Sequence, residues 1–413
     1  MSDTIPPHTS RAIKLVIIVA ALGYFVDIYD LLLFSIIRKP SLLGIGVAES
    51  QLLPVGATLI QLQMAGMLMG GILWGILGDK KGRLSVLFGS IIIYSIANIL
   101  NGLVHTVEMY GMMRFIAGIG LAGELGAGIT IVSEMMPKSK RGYGTMIVAS
   151  VGILGAVFAA LLSDVIPDWR TLYFIGGAMG IVLLLLRIGV YESGMYESIR
   201  KKEVRRGNFL SLFSHKKQFL KYLSVIMIGL PTWFVVGILI TFADEFGKAL
   251  GMAHIPVPGK AVMFCYIGIS IGDIGCGGIS QLLKSRKKAM FIFLLITSLA
   301  MALYFTVASG SLESFYFICA LLGFGAGFWA IFVTIASEQF GTNIRATVTT
   351  TVPNFVRGAL VPITALFRLL QGSFSTESSA IIVGTFTLLI ALISLSRLEE
   401  TFHKDLDYIE PMI

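Results

Sequence analysis

Two aspartates stand three residues apart in Tyr24-Phe-Val-Asp27-Ile-Tyr29-Asp30, within a run that is otherwise apolar from 15 to 37. On a helix that spacing puts both acids on one face with Tyr24. Burial and a like-charged neighbour each favour the neutral acid, so such a pair could take up a proton and release it when its surroundings change. The other reading is that one of them only hydrogen-bonds a neighbouring helix. Glu124, Asp273 (in Gly272-Asp-Ile-Gly275) and Arg357 (in Val352-Pro353-Asn354-Phe-Val-Arg357-Gly358) lie in similarly apolar surroundings. Glu124 could be a second proton site or the partner of an arginine. A guanidinium grips a carboxylate or phosphate in bidentate fashion, Pro353 frees a carbonyl in the preceding turn, and Asn354 adds a donor and an acceptor on the same face. Arg357 could therefore hold an anionic solute, or it could be buried as the ion-pair partner of Asp27, Glu124 or Asp273. Asp273 either contacts the solute or ties its helix to a neighbour. Gln61, Trp233 and Tyr24 are read as cavity walls, with ordinary packing as the alternative.

The elements that carry these groups follow from composition. Of 413 residues, 55% are hydrophobic and only 14% charged, against about a quarter charged in a soluble domain. The apolar residues come in blocks of ~20, long enough to cross ~30 Å of hydrocarbon as helices. Backbone groups in lipid must be satisfied within their own segment, and no alternating strand pattern of a barrel is present. The expected fold is all-α and integral to the membrane, with twelve spans near 14–38, 52–77, 84–104, 109–136, 143–166, 171–191, 222–246, 260–283, 289–308, 314–337, 347–370 and 379–397. The first is too long for a cleaved signal peptide and lacks a small-residue cleavage site. At a rise of ~1.5 Å per residue, Asp27, Glu124, Asp273 and Arg357 fall near one level. Ionisable groups at that depth cost several kcal/mol unless paired or hydrated, which marks them as functional candidates. Arg187, near a span end, is expected to snorkel, and Asp244 and Glu245 to be solvated.

The net charge of +8 is an orientation signal rather than a nucleic-acid footprint, because Lys and Arg concentrate on alternate connections and favour the cytoplasmic side. Both termini are then cytoplasmic, in the plasma (inner) membrane. Cys265, Cys276 and Cys319 fall within spans, with no disulfide framework and no metal-ligand spacing. No catalytic constellation, cofactor fingerprint or Walker A pattern is present, so neither an enzyme nor an ATP-driven pump is expected.

The chain repeats itself. Ser133-Glu134…Arg141-Gly142 recurs as Ser337-Glu338…Arg345-Ala346, Ala122-Gly123 as Ala326-Gly327, and Gly70-Gly71-Ile72 as Gly277-Gly278-Ile279. The basic hydrophilic stretch 192–221 reads as a linker between a six-helix bundle at 1–191 and a second at 222–413. Parallel halves of this kind place a solute near the midplane between them.

These motifs resemble the major facilitator superfamily over nearly the whole chain. Gly75-Ile-Leu-Gly78-Asp79-Lys80-Lys81-Gly82-Arg83 is similar to its signature between the second and third helices. Arg114-Phe115-Ile-Ala-Gly118-Ile-Gly120-Leu-Ala-Gly123-Glu124 looks like the fourth-helix motif of its symporters. Trp169-Arg170 and Arg187…Glu192-Ser193 look like the sugar-porter and metabolite–proton symporter branches, and the Asp-x-Tyr-Asp element of the first helix is similar to that of proton-coupled symporters. The resemblance implies two pseudo-symmetric six-helix bundles and secondary active transport. It also implies a gate built on Gly75, Asp79, Gly82 and Arg83. Glu134 with Arg141 and Glu338 with Arg345 are expected in the same charge network, and Arg114 in a gate nearer the outer end. Three departures stand out: Arg286 aligns with Asp79, Gly194 follows Glu192-Ser193 in place of proline, and the fifth helix lacks the proline of drug antiporters. The reading is a monomeric proton-coupled importer of a small anionic or zwitterionic metabolite, whose partners are that solute, protons and lipid. The alternatives are an exporter or exchanger, or a transporter-like sensor, against which the short tails count.

Overall fold

The computed structural model describes residues 7–136, 141–187, 207–306 and 310–410, and for 7–12 and 141 the backbone alone. The side chain of Arg141, the pair Glu192-Ser193 and linker positions 192–206 lie outside the described residues. In the first half the helices are α1 (Pro7–Gly44), α2 (Leu52–Lys81), α3 (Arg83–Asn101), α4 (Val107–Leu121), α5 (Glu124–Met135), α6 (Arg141–Val165) and α7 (Trp169–Leu186). The second half holds α8 (Lys216–Met227), α9 (Leu230–Phe234), a π-helical stretch Val235–Ile240, α10 (Ala243–Ala249), α11 (Pro258–Leu282), α12 (Arg286–Thr306), α13 (Leu312–Ala326), α14 (Trp329–Gln339), α15 (Arg345–Gly358), α16 (Leu360–Gln371) and α17 (Thr376–Arg397).

Among the described residues, eleven segments are long and apolar enough to cross a membrane. The twelfth span is α15 with α16, whose first part carries Arg345, Asn354, Arg357 and four threonines and so reads as polar. The protein is an all-α, multi-pass integral membrane protein with six spans in each half. Its surface chemistry is inverted relative to a soluble protein. Ile18, Met69, Ile96, Leu299 and Phe317 face outward, whereas Arg83, Arg114, Arg187, Arg286, Arg345 and Arg357 are fully buried.

Spans alternate in direction, so each connection belongs to one of two ends, named here for Asp79 and Asp244. At the Asp244 end four helices start on side-chain caps. Thr106 accepts from Met109 N, Asp168 from Arg170 N and Thr171 N, Ser311 from Ser314 N, and Ser375 from Ser378 N. Each cap satisfies amide donors that the helix start leaves open. The hydrogen bond from the Thr171 hydroxyl, together with those from the two amides, holds the Asp168 carboxyl below the usual carboxylate range.

Four spans are broken, at Ala122-Gly123, Gly327-Phe328, Ile228-Gly229 and Ala359. The expected spans 109–136, 222–246, 314–337 and 347–370 treat them as continuous, because apolar content continues through each break. Side chains recover the carbonyls freed there: Trp74 Nε1 donates to Ile119 O (2.7 Å), Asn354 Nδ2 to Ala122 O (2.8 Å) and Thr232 Oγ1 to Ala326 O (3.4 Å). Asn354 makes its bond across the boundary between halves. That boundary is otherwise lined by hydroxyls and small residues, with Thr130 and Thr349 at 2.6 Å, Thr145 and Thr334 at 3.0 Å, and Ser270 donating to Ser150 O at 2.9 Å. Cys265, Cys276 and Cys319, on α11 and α13, are buried and unpaired.

Candidate substrate and proton site

Tyr24 of α1, Trp233 of α9, Tyr266 of α11, Trp329 of α14 and Arg357 of α15 meet around a cavity of about 20 Å³ between the halves. A pocket that takes a small molecule runs ~300–1,000 Å³, so the halves are in a closed arrangement. The Arg357 guanidinium carbon lies 5.8 Å from the centre of the Trp233 ring and 5.8 Å from that of Trp329. Stacking of this kind holds a cation without neutralising it. Arg357 donates to Asn354 Oδ1 at 3.3 Å, and its Nε has no partner among the described residues. None of Asp27, Glu124 and Asp273 forms an ion pair with it there. Asp273 instead accepts from Ala330 N at 2.9 Å, capping the second part of the broken tenth span. Gln61 lies apart from this cavity, in a crevice nearer the Asp244 end with Met64, Gly237, Phe242 and Thr364.

Asp27 and Asp30 are wholly buried; neither carboxylate oxygen of Asp27 has a hydrogen-bond partner among the described residues, and Asp30 faces the Asn98 side chain. Asp27 lies within electrostatic reach of Arg357, Glu124 and Arg187, and Asp30 within reach of Asp27 and Arg114. Glu124 is ion-paired with Arg187, which also donates to Leu87 O at 2.6 Å. Arg187 therefore does not snorkel; its head turns into the bundle because a buried carboxylate waits there. Arg114 donates to Gln63 Oε1 inside the first half and stacks 5.1 Å from Phe34. Glu124→Gln would leave the Arg187 charge buried without a counter-ion. Losing one partner of such a pair costs roughly 3–5 kcal/mol. The expected result is a clear fall in detergent melting temperature, largely recovered in Glu124→Gln/Arg187→Met. Equal melting of Glu124→Gln and the parent would refute the pair's structural role.

The two ends close on different chemistry. At one, Asp79 accepts from the backbone N–H groups of Ala346 (3.1 Å) and Thr347 (2.8 Å), so an acid of the first half caps α15 of the second. Favourable charge at a helix start adds to those bonds. Gly75 lets α15 approach α2, since a Cβ there would press on the Thr347 backbone. Gly82, at φ +101°, makes the turn that an L side chain resists. Arg83 reaches Glu134 at 2.8 Å, and Glu134 also accepts from Arg345 at 3.2 Å across the halves. Glu338 pairs with Arg286 at 3.4 Å, not with Arg345. Arg286 opens α12 as Arg83 opens α3, so it is the structural counterpart of Arg83 rather than of Asp79. The lock is one-sided for that reason. The start of α12 is capped instead by Glu400 of the C-terminal tail, which accepts from Arg286 N at 2.9 Å. Burial opposes ionisation of Glu400, but bonds from Ser285, Arg286 N, Thr401 N and Lys287 N outweigh it and hold the carboxyl below its usual range.

At the other end Lys39 of α1 meets Asp244 of α10 at 2.6 Å, with Arg38 at 3.9 Å. Asp244 is buried, contrary to its expected solvation, because it closes the halves against each other.

Residues 19–363 match the model of the Major Facilitator Superfamily. The chain belongs to that superfamily. Superfamily relatives include the gentisate transporter of Corynebacterium glutamicum, 24% identical over 91% of this chain and 86% of its own length. The sialic acid transporter NanX of Escherichia coli is 26% identical over 68% of this chain and 67% of its own. Among solved structures, the proton:xylose symporter XylE bound to 6-bromo-6-deoxy-D-glucose superposes with a TM-score of 0.78. That match covers 97% of this chain and 98% of XylE at 18% identity, a likeness of fold. For a superfamily chain, sequence reasoning passed over Gln63 and Tyr266 and gave Arg187 and Asp244 solvated roles that the structure replaces with buried ion pairs. Gln63 and Tyr266 carry no signal beyond polarity in an apolar span. Asp244 was legible only as an acid opposite Arg38 and Lys39 at the same membrane end.

Proposed function

We propose that this superfamily member is a proton-coupled symporter that imports a small anionic or zwitterionic metabolite by alternating access. The observation that carries the reading is Arg357: a buried guanidinium at the midpoint between halves, held by aromatic faces and by no carboxylate among the described residues. An anionic head group is the ligand such a cation lacks. The names of the gentisate and sialic acid relatives, both acids, support the same class.

Coupling follows from electrostatics. Ionised Asp27 competes with the solute for the field of Arg357; protonated, it no longer does. Proton and anion therefore favour each other's binding by the same factor, with Asp30 sharing the load beside it. Asn354, Tyr24 and Trp233 shape the cavity, and Asp273 holds the wall. Glu124 sets the field around Asp27 through its pair with Arg187. Asp79, Glu134, Arg345, Glu338 and Arg141 govern opening at one end, and Arg114 supports the first half toward the other. The Asp79 end, rich in Lys and Arg, is assigned to the cytoplasm, with both termini there, the linker 192–221 between two bundles, and the monomer as the working unit in the plasma membrane.

The test is a thermal-stability screen of the purified protein against metabolites at two pH values. A ligand of the folded state raises apparent stability by mass action. An acidic metabolite should stabilise, and more strongly at the lower pH. Stabilisation by neutral solutes alone would overturn the anionic or zwitterionic class, and none by any polar metabolite would overturn the importer reading in favour of a hydrophobic or exported solute.

A further inference from the structure

A second cavity, of about 690 Å³, opens at the Asp79 end between the start of α8 and the close of α17. Its wall holds Lys216, Lys217 and Arg397, all exposed and without an ion-pair partner among the described residues. Lys221 also lines it, engaged with Glu410 at 3.0 Å and with Gln339 O at 2.9 Å. Setting that pair aside, three cations face one remaining acid, Glu399. The start of α8 has no side-chain cap, so its first-turn amides are open. One observation points to a ligand independently of the helix start. Gln218 is 92% buried by its 8% exposure, lines the cavity, and has an Nε2 donor without a partner. Gln339, fully buried on the same wall, leaves Oε1 without one.

The place of the cavity narrows the ligand. Leu220 lines the cavity and is exposed, and Ile393, one turn before Arg397 on α17, is exposed as well, so apolar surface adjoins a basic wall, as at the boundary between hydrocarbon and headgroups. We propose that this cavity binds the phosphate of an anionic membrane glycerophospholipid. The phosphate lies against Lys216, Lys217, Arg397, the amides of the α8 start and Gln218 Nε2, and a headgroup hydroxyl donates to Gln339 Oε1. Basic pockets between transmembrane helices recognise such headgroups. The acyl chains leave along Leu220. The site is independent of Arg357 and holds whatever solute is carried.

The test uses the full chain in phosphatidylcholine nanodiscs with and without phosphatidylglycerol. Phosphatidylglycerol should raise the melting temperature by about 3 °C, the size of a ligand well above its Kd for a protein this large. Lys216→Gln/Lys217→Gln/Arg397→Gln, which changes only exposed residues, should melt like the parent in phosphatidylcholine and lose the rise. Lys217→Arg should keep it. An equal rise in the triple variant, or none in the parent, overturns the site. Glycerol 1-phosphate giving the full shift without phosphatidylglycerol overturns the lipid and makes the ligand a soluble phosphate ester.

Discussion

Asp27→Asn is expected to abolish accumulation of the solute driven by an inward proton gradient while leaving exchange of solute for solute in place. The carboxyl is wholly buried, has no hydrogen-bond partner among the described residues and lies within electrostatic reach of Arg357, and asparagine copies its neutral form. The variant is therefore locked in the state that favours anion binding but has no proton to return. Solute affinity should lose its dependence on pH and stay at the level the parent reaches in acid. Coupling free energies between such sites run ~1–3 kcal/mol, or roughly 5–150-fold in affinity, so the parent's affinity should fall by a factor in that range as pH rises. Reconstituted vesicles with an imposed pH gradient measure both quantities. Normal accumulation by the variant would remove Asp27 as the coupling group and turn attention to Asp30.

The second large effect is expected from Arg357→Lys. Lysine keeps the charge but gives up the planar fork that binds a carboxylate with two parallel bonds and stacks on aromatic faces. Between Trp233 and Trp329, a compact ammonium is both harder to desolvate and worse placed. Binding of an acidic solute should weaken by at least about tenfold, which is ~1.4 kcal/mol, read by titration calorimetry or by the ligand's stabilising effect. Unchanged affinity would mean that Arg357 serves as a counter-charge to Asp27 and does not touch the solute.

The twelve-span architecture was legible because lipid imposes a rule on every twenty-residue block, and composition reports that rule directly. Counting along helices put Asp27, Glu124 and Arg357 near one level, and Asp27 lies within electrostatic reach of the other two. The partners did not follow from counting. Glu124 and Arg187 are 63 residues apart, and nothing local says that α5 and α7 bring them together. The inner charge network shows the same limit. Glu134, Glu338 and Arg345 were recognisable as members of one network, but nothing local says that Glu134 is shared by Arg83 of its own half and by Arg345 of the other. The repeat Ala122-Gly123 and Ala326-Gly327 was visible as a pattern, but its meaning, a break in each helix, depends on Trp74, Asn354 and Thr232 arriving from elsewhere to satisfy the carbonyls.

The three cysteines lead somewhere practical. All are packed between helices with no access to water, and the thiolate is the form that reacts. The natural protein is accordingly a near-silent background for water-borne maleimides. A lone cysteine placed in the Gln61 crevice would be the reporter on that background. Its labelling rate would time the opening of the Asp244 end without any of the native thiols having to be removed.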